Sequence, residues 1–221
     1  MFVGHYGVAL AAKRFAPRSS MGTLFIAVQL LDVLWAPAIL LGFEHARVVP
    51  GLLPASALDL YDMPWTHGLV AALAWSWFAF RFSKNGVLGA CIFSHWVLDF
   101  VTHRPDLPLF RGGTKVGLAL WRYREASYLV EVALLIGGYL IYQRTTRART
   151  AAGEYAMKVF VAVLILVEGY NLYGPVPANI QQVAISAEVA YLVLAAIAWR
   201  LDLLREPIER VEAPISILGA G

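Results

Sequence analysis

The chain has 221 residues, of which 59% are hydrophobic and only 15% are charged. Soluble domains contain about 25% charged residues, so this composition excludes an ordinary soluble domain, a disordered chain and a coiled coil. The net charge of +3 does not indicate nucleic-acid binding, because the basic residues lie in short clusters between apolar runs, as orientation in a membrane requires. The sequence therefore predicts an integral membrane protein with no nucleic-acid partner.

The first apolar stretch, residues 2–12, is too short to cross a bilayer, which takes about 20 residues. It is not a signal peptide, because the basic residues Lys13, Arg14 and Arg18 follow the apolar run instead of preceding it. We expect a short N-terminal helix that is re-entrant and partly inserted. A helix that lies at the membrane interface is the alternative.

Six longer apolar segments follow, each close to the length that a membrane span requires. They cover about residues 22–43, 65–82, 86–102, 126–142, 155–173 and 178–201. The connections between them leave no room for a soluble domain. The sequence therefore predicts an all-α, polytopic membrane helical bundle with about six transmembrane helices, forming a single domain over residues 1–221.

Lysine and arginine residues are concentrated in alternate connections, which the positive-inside rule places on the cytoplasmic side. The last of these groups, Arg200, Arg205 and Arg210, follows the sixth predicted span. The opposing loop, residues 104–124, carries five basic residues as well. On balance the pattern predicts a multi-pass protein with a cytoplasmic C-terminus.

Ionisable side chains lie inside several predicted spans, where each costs about 2.5–3.5 kcal/mol on insertion scales. No lysine or arginine lies deep in a span to pair with them, so protons or a metal ion must neutralise the acids. These residues are Asp32, His67, His95, Asp99, Glu131, Glu168 and Glu188. Such residues indicate a functional site by default.

The sharpest local pattern is in the third span, where His95, Asp99 and His103 recur every four residues. On a helix this spacing puts the side chains on one face, with Cβ atoms about 5–6 Å apart. His95 and Asp99 can then bind one divalent ion, and His103 lies at the membrane edge beside them. A structural hydrogen bond between His95 and Asp99 is the alternative.

Three further side chains approach the same depth in the outer half of the membrane. His67 enters from the outer face, Asp32 lies near the middle of the first span, and the short N-terminal helix can carry His5 inward. Imidazole and carboxylate ligands suit Zn²⁺, Mn²⁺ or Fe²⁺, whereas a thiolate site is excluded because Cys91 is the only cysteine. The predicted cofactor is a divalent metal, with zinc first.

In these motifs the sequence resembles a family of small, largely uncharacterised bacterial inner-membrane proteins, the predicted membrane-bound metal-dependent hydrolases. The similar blocks are residues 94–106, residues 65–69 and residues 4–6, all in the first half of the chain. The resemblance implies a bacterial inner-membrane location and a hydrolytic activity.

The resemblance also implies a metal-ligand set similar to that of zinc-dependent phospholipase C. This set consists of His5, Asp32, His67, His95 and Asp99. The chain departs from the family pattern where Leu34 replaces a second acidic residue and where Gly68 replaces serine. The missing acid favours one ion, or two ions if a glutamate of the last three spans is recruited.

Three functions remain open at this point. The first is a metal-dependent hydrolase that attacks a lipid or amphiphilic (phospho)ester with a metal-activated water, with Glu168, Glu188 or His103 as catalytic proton carriers. The second is a proton- or metal-coupled small transporter, and the third is a non-enzymatic membrane protein with a structural metal site. The polar residues are biased to one half of the bilayer, which favours the hydrolase. A homodimer is compatible with each function.

Overall fold

The computed structural model describes residues 1–208, which form seven α-helices joined by connections with three short antiparallel strand pairs. The helices are α1 (Val3–Ala12), α2 (Met21–Leu40), α3 (Leu69–Ser83), α4 (Gly86–Thr102), α5 (Arg124–Thr145), α6 (Ala151–Tyr173) and α7 (Ile180–Asp202). The strand pairs are β1 (His45–Val48) with β2 (Leu58–Asp62), β3 (Leu107–Pro108) with β4 (Lys115–Val116), and β5 (Thr146–Ala148) with β6 (Arg205–Pro207). The predicted all-α class is confirmed.

Three of the helices in residues 1–208, namely α2, α5 and α7, are long and apolar enough to cross a membrane. The apolar helices α1, α3 and α4 are shorter, with 10, 15 and 17 residues. These three long helices indicate a membrane protein, and the count of six spans stays a prediction. The C-terminus, predicted to be cytoplasmic, and Arg210 lie outside the described residues.

The short helix α1 lies inside the bundle. Eight of its ten residues are buried, and it packs against α2, α4 and α5. Its backbone nearly touches α5, because a Cβ atom at Gly138 would lie 1.9 Å from the carbonyl oxygen of Gly7. Small residues permit such close helix packing in membranes. This packing fits the inserted alternative for the N-terminal helix and not the interfacial one.

Helix α4 forms one wall of the candidate site. It begins after Asn85, whose side chain accepts a hydrogen bond from the backbone nitrogen of Val87 at 3.0 Å and so caps the helix. It ends at Thr102, where His103 takes an extended conformation two residues before Pro105, which cannot continue a helix. Within these limits the predicted four-residue spacing puts His95 and Asp99 on one buried face, whereas His103, the third predicted member, lies just past the end of the helix.

The connection between α2 and α3, residues 41–68, folds over the end of the bundle that carries the site. The buried carboxylate of Glu44 accepts hydrogen bonds from the backbone nitrogens of Trp65 and Thr66, at 2.7 and 2.9 Å. These bonds hold the segment before Leu69 outside the helix. The second predicted span was therefore placed too early, and His67 lies in the connection instead of in a span.

The connection between α4 and α5, residues 103–123, covers the same end of the bundle. The backbone nitrogen of Leu118 donates to the carbonyl oxygen of Phe100 at 2.8 Å, which ties this connection to α4. An ion pair between Arg104 and Asp59 joins it to the β1–β2 hairpin. The two connections together cover the end of the bundle that carries the site.

Candidate metal centre

The structure brings the predicted metal ligands together from four separate segments. Two overlapping groups have their potential ligand atoms within 4.8 Å of one another, and they consist of His5, His95 and Asp99, and of Asp32, His67 and His95. His103 adjoins them, with its Nε2 atom 3.5 Å from Oδ2 of Asp99. The side chains are almost completely buried, except that 15% of the Asp32 side chain is exposed. The metal itself stays a prediction.

Two carboxylates at the centre of this cluster face imidazole nitrogens. The Oδ2 atom of Asp99 lies 3.2 Å from Nε2 of His95 and 3.6 Å from Nε2 of His67. The Oδ1 atom of Asp32 lies 3.2 Å from Nε2 of His67 and 3.7 Å from Nε2 of His95. Ligand atoms bound at about 2.0–2.1 Å in a tetrahedral zinc site are about 3.3 Å apart. The observed separations therefore fit such a site.

The other ring nitrogen of two of these histidines is fixed by an acceptor. Nδ1 of His95 lies 2.7 Å from the carbonyl oxygen of Val28, and Nδ1 of His103 lies 3.0 Å from Oδ1 of Asp106. Carbonyl and carboxylate oxygens only accept hydrogen bonds, so both Nδ1 atoms donate. Each neutral ring then directs the lone pair of Nε2 into the cluster, as a metal-binding histidine does.

His67 is oriented by a relay that begins at Glu44. The Thr66 hydroxyl donates its single hydrogen to Oε2 of Glu44 at 2.6 Å, and Nδ1 of His67 lies 2.8 Å from the same hydroxyl oxygen. Nδ1 must therefore donate to Thr66, which again leaves the lone pair on Nε2. Trp96 fixes the backbone here, because its Nε1 donates to the carbonyl oxygen of His67 at 3.0 Å.

In this arrangement hydrogen-bond acceptors face one another. The lone pairs of the imidazole nitrogens repel the carboxylate oxygens of Asp32 and Asp99, and within residues 1–208 no lysine or arginine pairs with either acid. The nitrogen of Met1 donates to Oδ1 of Asp99 at 2.7 Å, which leaves Oδ2 facing the rings. Either the rings take second protons or a cation lies between the two sets of lone pairs.

His5 faces the other carboxylate oxygen of Asp99. Its Nε2 lies 3.2 Å from Oδ1 of Asp99, and its ring stacks on that of His95 with centroids 4.0 Å apart. The Glu131 carboxylate holds this helix in place by accepting two backbone N–H groups at the start of α1, at 2.7 and 3.2 Å. The sequence left the role of Glu131 open, and the structure shows that it caps α1.

The two glutamates predicted to be catalytic belong to neither ligand group. Glu168 is fully buried in α6, and within the described residues neither of its carboxylate oxygens has a hydrogen-bond partner. Glu188 in α7 likewise has one buried oxygen without a partner in residues 1–208. Their catalytic roles stay predictions. His103 is the predicted catalytic residue that the structure brings to the cluster.

Sequence reasoning missed several groups that support the cluster. Tyr191 donates to Oδ2 of Asp32 at 2.9 Å although it is 159 positions away in the chain. Glu44 reaches the site through Thr66 and was not considered. Asp106 was interpreted as an ordinary acid of a loop. Thr66 directly precedes His67, which was the one local signal available, whereas the contacts of Tyr191 and Glu44 arise only from the fold.

A cavity of about 660 Å³ lies beside the cluster. Asp32, His67, Asp99 and His103 line its buried end, and the β1–β2 and α6–α7 connections line other parts of it. This volume is within the range of small-ligand sites, about 300–1,000 Å³. A ligand in the cavity can therefore contact the carboxylates and rings directly.

No protein-family model, no curated protein and no solved structure matches this chain. The hydrolase family thus stays a resemblance that rests on the motifs around His67 and His95. Because fold alone does not specify function, the function has to be argued from the chemistry of the cluster and its cavity.

Proposed function

We propose that the protein is a membrane-embedded, metal-dependent hydrolase that acts on a lipid or amphiphilic (phospho)ester in a bacterial inner membrane. The observation that carries this proposal is the set of oriented imidazole nitrogens that face two buried carboxylates beside a cavity of ligand size. Nitrogen and carboxylate ligands at these separations suit Zn²⁺ first, and Mn²⁺ or Fe²⁺ after it.

The residues divide into ligands and supporting groups. The proposed ligands of one ion are Asp32, His67, His95 and Asp99. His5 is a further proposed ligand, because its Nε2 atom lies beside Oδ1, the other carboxylate oxygen of Asp99. A bound divalent ion lowers the pKa of a water molecule towards about 7 and polarises the scissile carbonyl or phosphoryl group. The oxygen atoms that accept hydrogen bonds from the Nδ1 atoms keep the lone pairs of the Nε2 atoms free to bind the ion, which strengthens binding.

His103 is the proposed carrier of the proton. It lies outside both ligand groups but lines the cavity, and Asp106 fixes its Nδ1 atom as a donor. Its Nε2 is therefore the basic atom and points towards the reacting end of the cavity. The Trp121 ring lies 4.3 Å from the His103 ring between centroids and shields it from bulk water.

An amphiphilic substrate is proposed because the cavity connects a polar end to apolar helices. Val167 of α6 and Val183, Ala187 and Ala190 of α7 line its wall. The outer surfaces of α6 and α7 also expose large apolar side chains, as lipid contact requires. A substrate with an apolar chain can therefore enter from the bilayer and place its ester bond at the cluster.

The transporter alternative has less support. A transported ion needs polar groups that continue through the bundle, yet the polar groups at the far end are already paired. There Asp202 accepts hydrogen bonds from Lys13 at 2.6 Å and from Tyr142 at 3.0 Å. None of these three residues lines the cavity described in residues 1–208.

The first test is the metal content of the detergent-purified protein, measured by ICP mass spectrometry. We expect about one or two equivalents of zinc, manganese or iron, lost in His95→Ala and in Asp99→Ala. His45→Ala is the matched control, because His45 is half-exposed and pairs with Asp62 away from the cluster. A wild-type protein that binds none of these ions after reconstitution would overturn the proposal.

The second test is hydrolysis of phospholipids and acylglycerols in mixed micelles, followed by mass spectrometry of the products. We expect His103→Gln to keep its metal and to lose about 10²–10⁴-fold in turnover, as removal of a general acid–base does. Turnover that persists in metal-free His95→Ala would contradict a metal-dependent reaction.

A further inference from the structure

Arg124 is the one arginine or lysine that lines the cavity described in residues 1–208. Arg124 is half-buried at the start of α5. Two contacts from different segments hold its guanidinium. Nε donates to the carbonyl oxygen of Pro54 in the α2–α3 connection, and the group lies 5.4 Å from the centroid of the Tyr173 ring at the end of α6. The position of the charge is therefore fixed by the fold.

Arg124 differs from two other arginines at this end of the bundle, which are paired with acids. Arg47 binds Asp59 at 2.7 Å, and Arg104 contacts both Asp59 and Asp106. Among residues 1–208, no carboxylate lies within 4.0 Å of Arg124, and its guanidinium makes one hydrogen bond, through Nε. Its Nη1 and Nη2 atoms are therefore available to a ligand in the cavity.

We infer that Arg124 binds the anionic head group of an amphiphile whose apolar chain lies against α6 and α7. A guanidinium presents parallel N–H donors that match phosphate, sulfate and carboxylate groups. The wall that α6 and α7 form includes the apolar side chains of Val167, Val183 and Ala187. This inference deepens the proposed function and rests on it, because it names the substrate class of the same cavity as an anionic lipid-like amphiphile.

The size of the cavity agrees with this ligand class. A volume of about 660 Å³ is in the middle of the range for small-ligand sites, and it holds a head group with the first part of one chain. Two carboxylates, those of Asp32 and Asp99, line the buried end, so an anion without a bound cation there is repelled from them. Among the groups that line the described cavity, the Met1 ammonium is bound to Asp99, whereas the Arg124 guanidinium has no carboxylate partner in residues 1–208 and attracts an anion independently of any metal.

The test compares three probes with the full-length protein in a neutral maltoside detergent, in the metal-free and the metal-loaded forms. Dodecylphosphonate has both the anionic group and the apolar chain, joined by a carbon–phosphorus bond that ester hydrolases do not cleave. Dodecanol has the chain alone, and methylphosphonate has the anionic group alone. Dissociation constants are measured by native mass spectrometry. We expect wild type to bind dodecylphosphonate about tenfold more tightly than either of the other probes.

The decisive variant is Arg124→Gln, with Arg122→Gln as its matched control. Arg122 is exposed, lies two positions earlier and does not line the cavity. We expect the preference for dodecylphosphonate over dodecanol to vanish in Arg124→Gln and to persist in Arg122→Gln. If Arg124→Gln does not fold, Arg124→Lys is measured instead, and its preference is expected to fall severalfold because the parallel donors are lost.

Each other outcome would overturn the inference. The first is an unchanged preference for dodecylphosphonate over dodecanol in the Arg124 variant, and the second is an equal loss of that preference in the Arg124 and Arg122 variants. The third is binding of methylphosphonate as tight as that of dodecylphosphonate, which would indicate a site for free anions. The metal-free measurements separate this inference from the proposed function. Hydrolysis can fail while the Arg124-dependent preference persists, and the preference can fail while metal-dependent hydrolysis persists.

Discussion

Two buried polar clusters lie at opposite ends of the bundle, and α1 leads from one to the other. At one end Asp202 accepts hydrogen bonds from the Lys13 ammonium at 2.6 Å, the Tyr142 hydroxyl at 3.0 Å and the Met21 nitrogen at 3.1 Å. At the other end, carboxylate oxygens face imidazole lone pairs at similar distances. One cluster pairs donors with acceptors, and the other brings acceptors together.

The buried Arg205 beside Asp202 shows the same pairing. Its guanidinium donates to the side chain of Gln143, to the hydroxyl and carbonyl oxygens of Thr146, and to the carbonyl oxygen of Gly153, at 2.9–3.0 Å. Burial of ionisable groups is therefore common to both ends and does not identify a functional site by itself. The mismatch between donors and acceptors is what distinguishes the candidate site from the Asp202 cluster, because second protons on the rings or a bound cation must supply the missing positive charge.

The largest contrast is expected between Asp32→Asn and Asp202→Asn. Asp32→Asn should lose metal binding by at least about 100-fold while the metal-free protein stays folded, because an amide relieves the repulsion around Oδ1 and, among residues 1–208, no lysine, arginine or terminal ammonium pairs with Asp32. Asp202→Asn should keep its metal but lose about 3–5 kcal/mol of unfolding free energy, because it leaves the buried Lys13 charge unpaired. Metal analysis and chemical unfolding of both variants measure the contrast. Equal destabilisation of the two would show that both clusters are structural.

The helical part of the site was predictable from the sequence. The spacing of His95 and Asp99 is local, and a helix of the observed length places these two side chains together whatever surrounds them. His103 lies just past the end of the helix and still reaches Asp99. The convergence of His5 and Asp32 followed from estimated depth in the membrane. These arguments needed only helix geometry and the position of each span along the chain.

The remainder of the site depends on long-range contacts that no local pattern encodes. His67 was expected near the start of a span, but Glu44 holds its segment in an irregular conformation before α3. The interior position of α1 depends on the close contact between Gly7 and Gly138, which are far apart in sequence. The capping of α1 by Glu131 likewise depends on contacts between residues that are far apart in sequence. Such roles are set by packing and become visible only in the fold.

A smaller effect is expected from Thr66→Val, which removes the relay behind His67 without changing the size of the side chain. Nδ1 of His67 and Oε2 of Glu44 lose their shared partner, so metal affinity should fall about 10–100-fold. Thr145→Val is the control, because the Thr145 hydroxyl donates within its own helix to the carbonyl oxygen of Ile141. Competition with a zinc chelator measures both variants. An unchanged metal affinity in Thr66→Val would show that the relay does not contribute to metal binding.

Gly138→Ala tests whether α1 couples the two clusters. The new methyl group would collide with the backbone of Gly7, and such overpacking costs about 1–3 kcal/mol of unfolding free energy. Since α1 carries His5 at one end and ends at Lys13, its displacement should weaken metal binding and the Lys13–Asp202 pair together. The neighbouring Gly137→Ala has open space at its Cβ position and should be neutral or stabilising by up to about 1 kcal/mol. A Gly138→Ala protein that is less stable but binds metal as tightly as wild type would show that α1 can be displaced without moving His5. The two clusters would then be energetically independent.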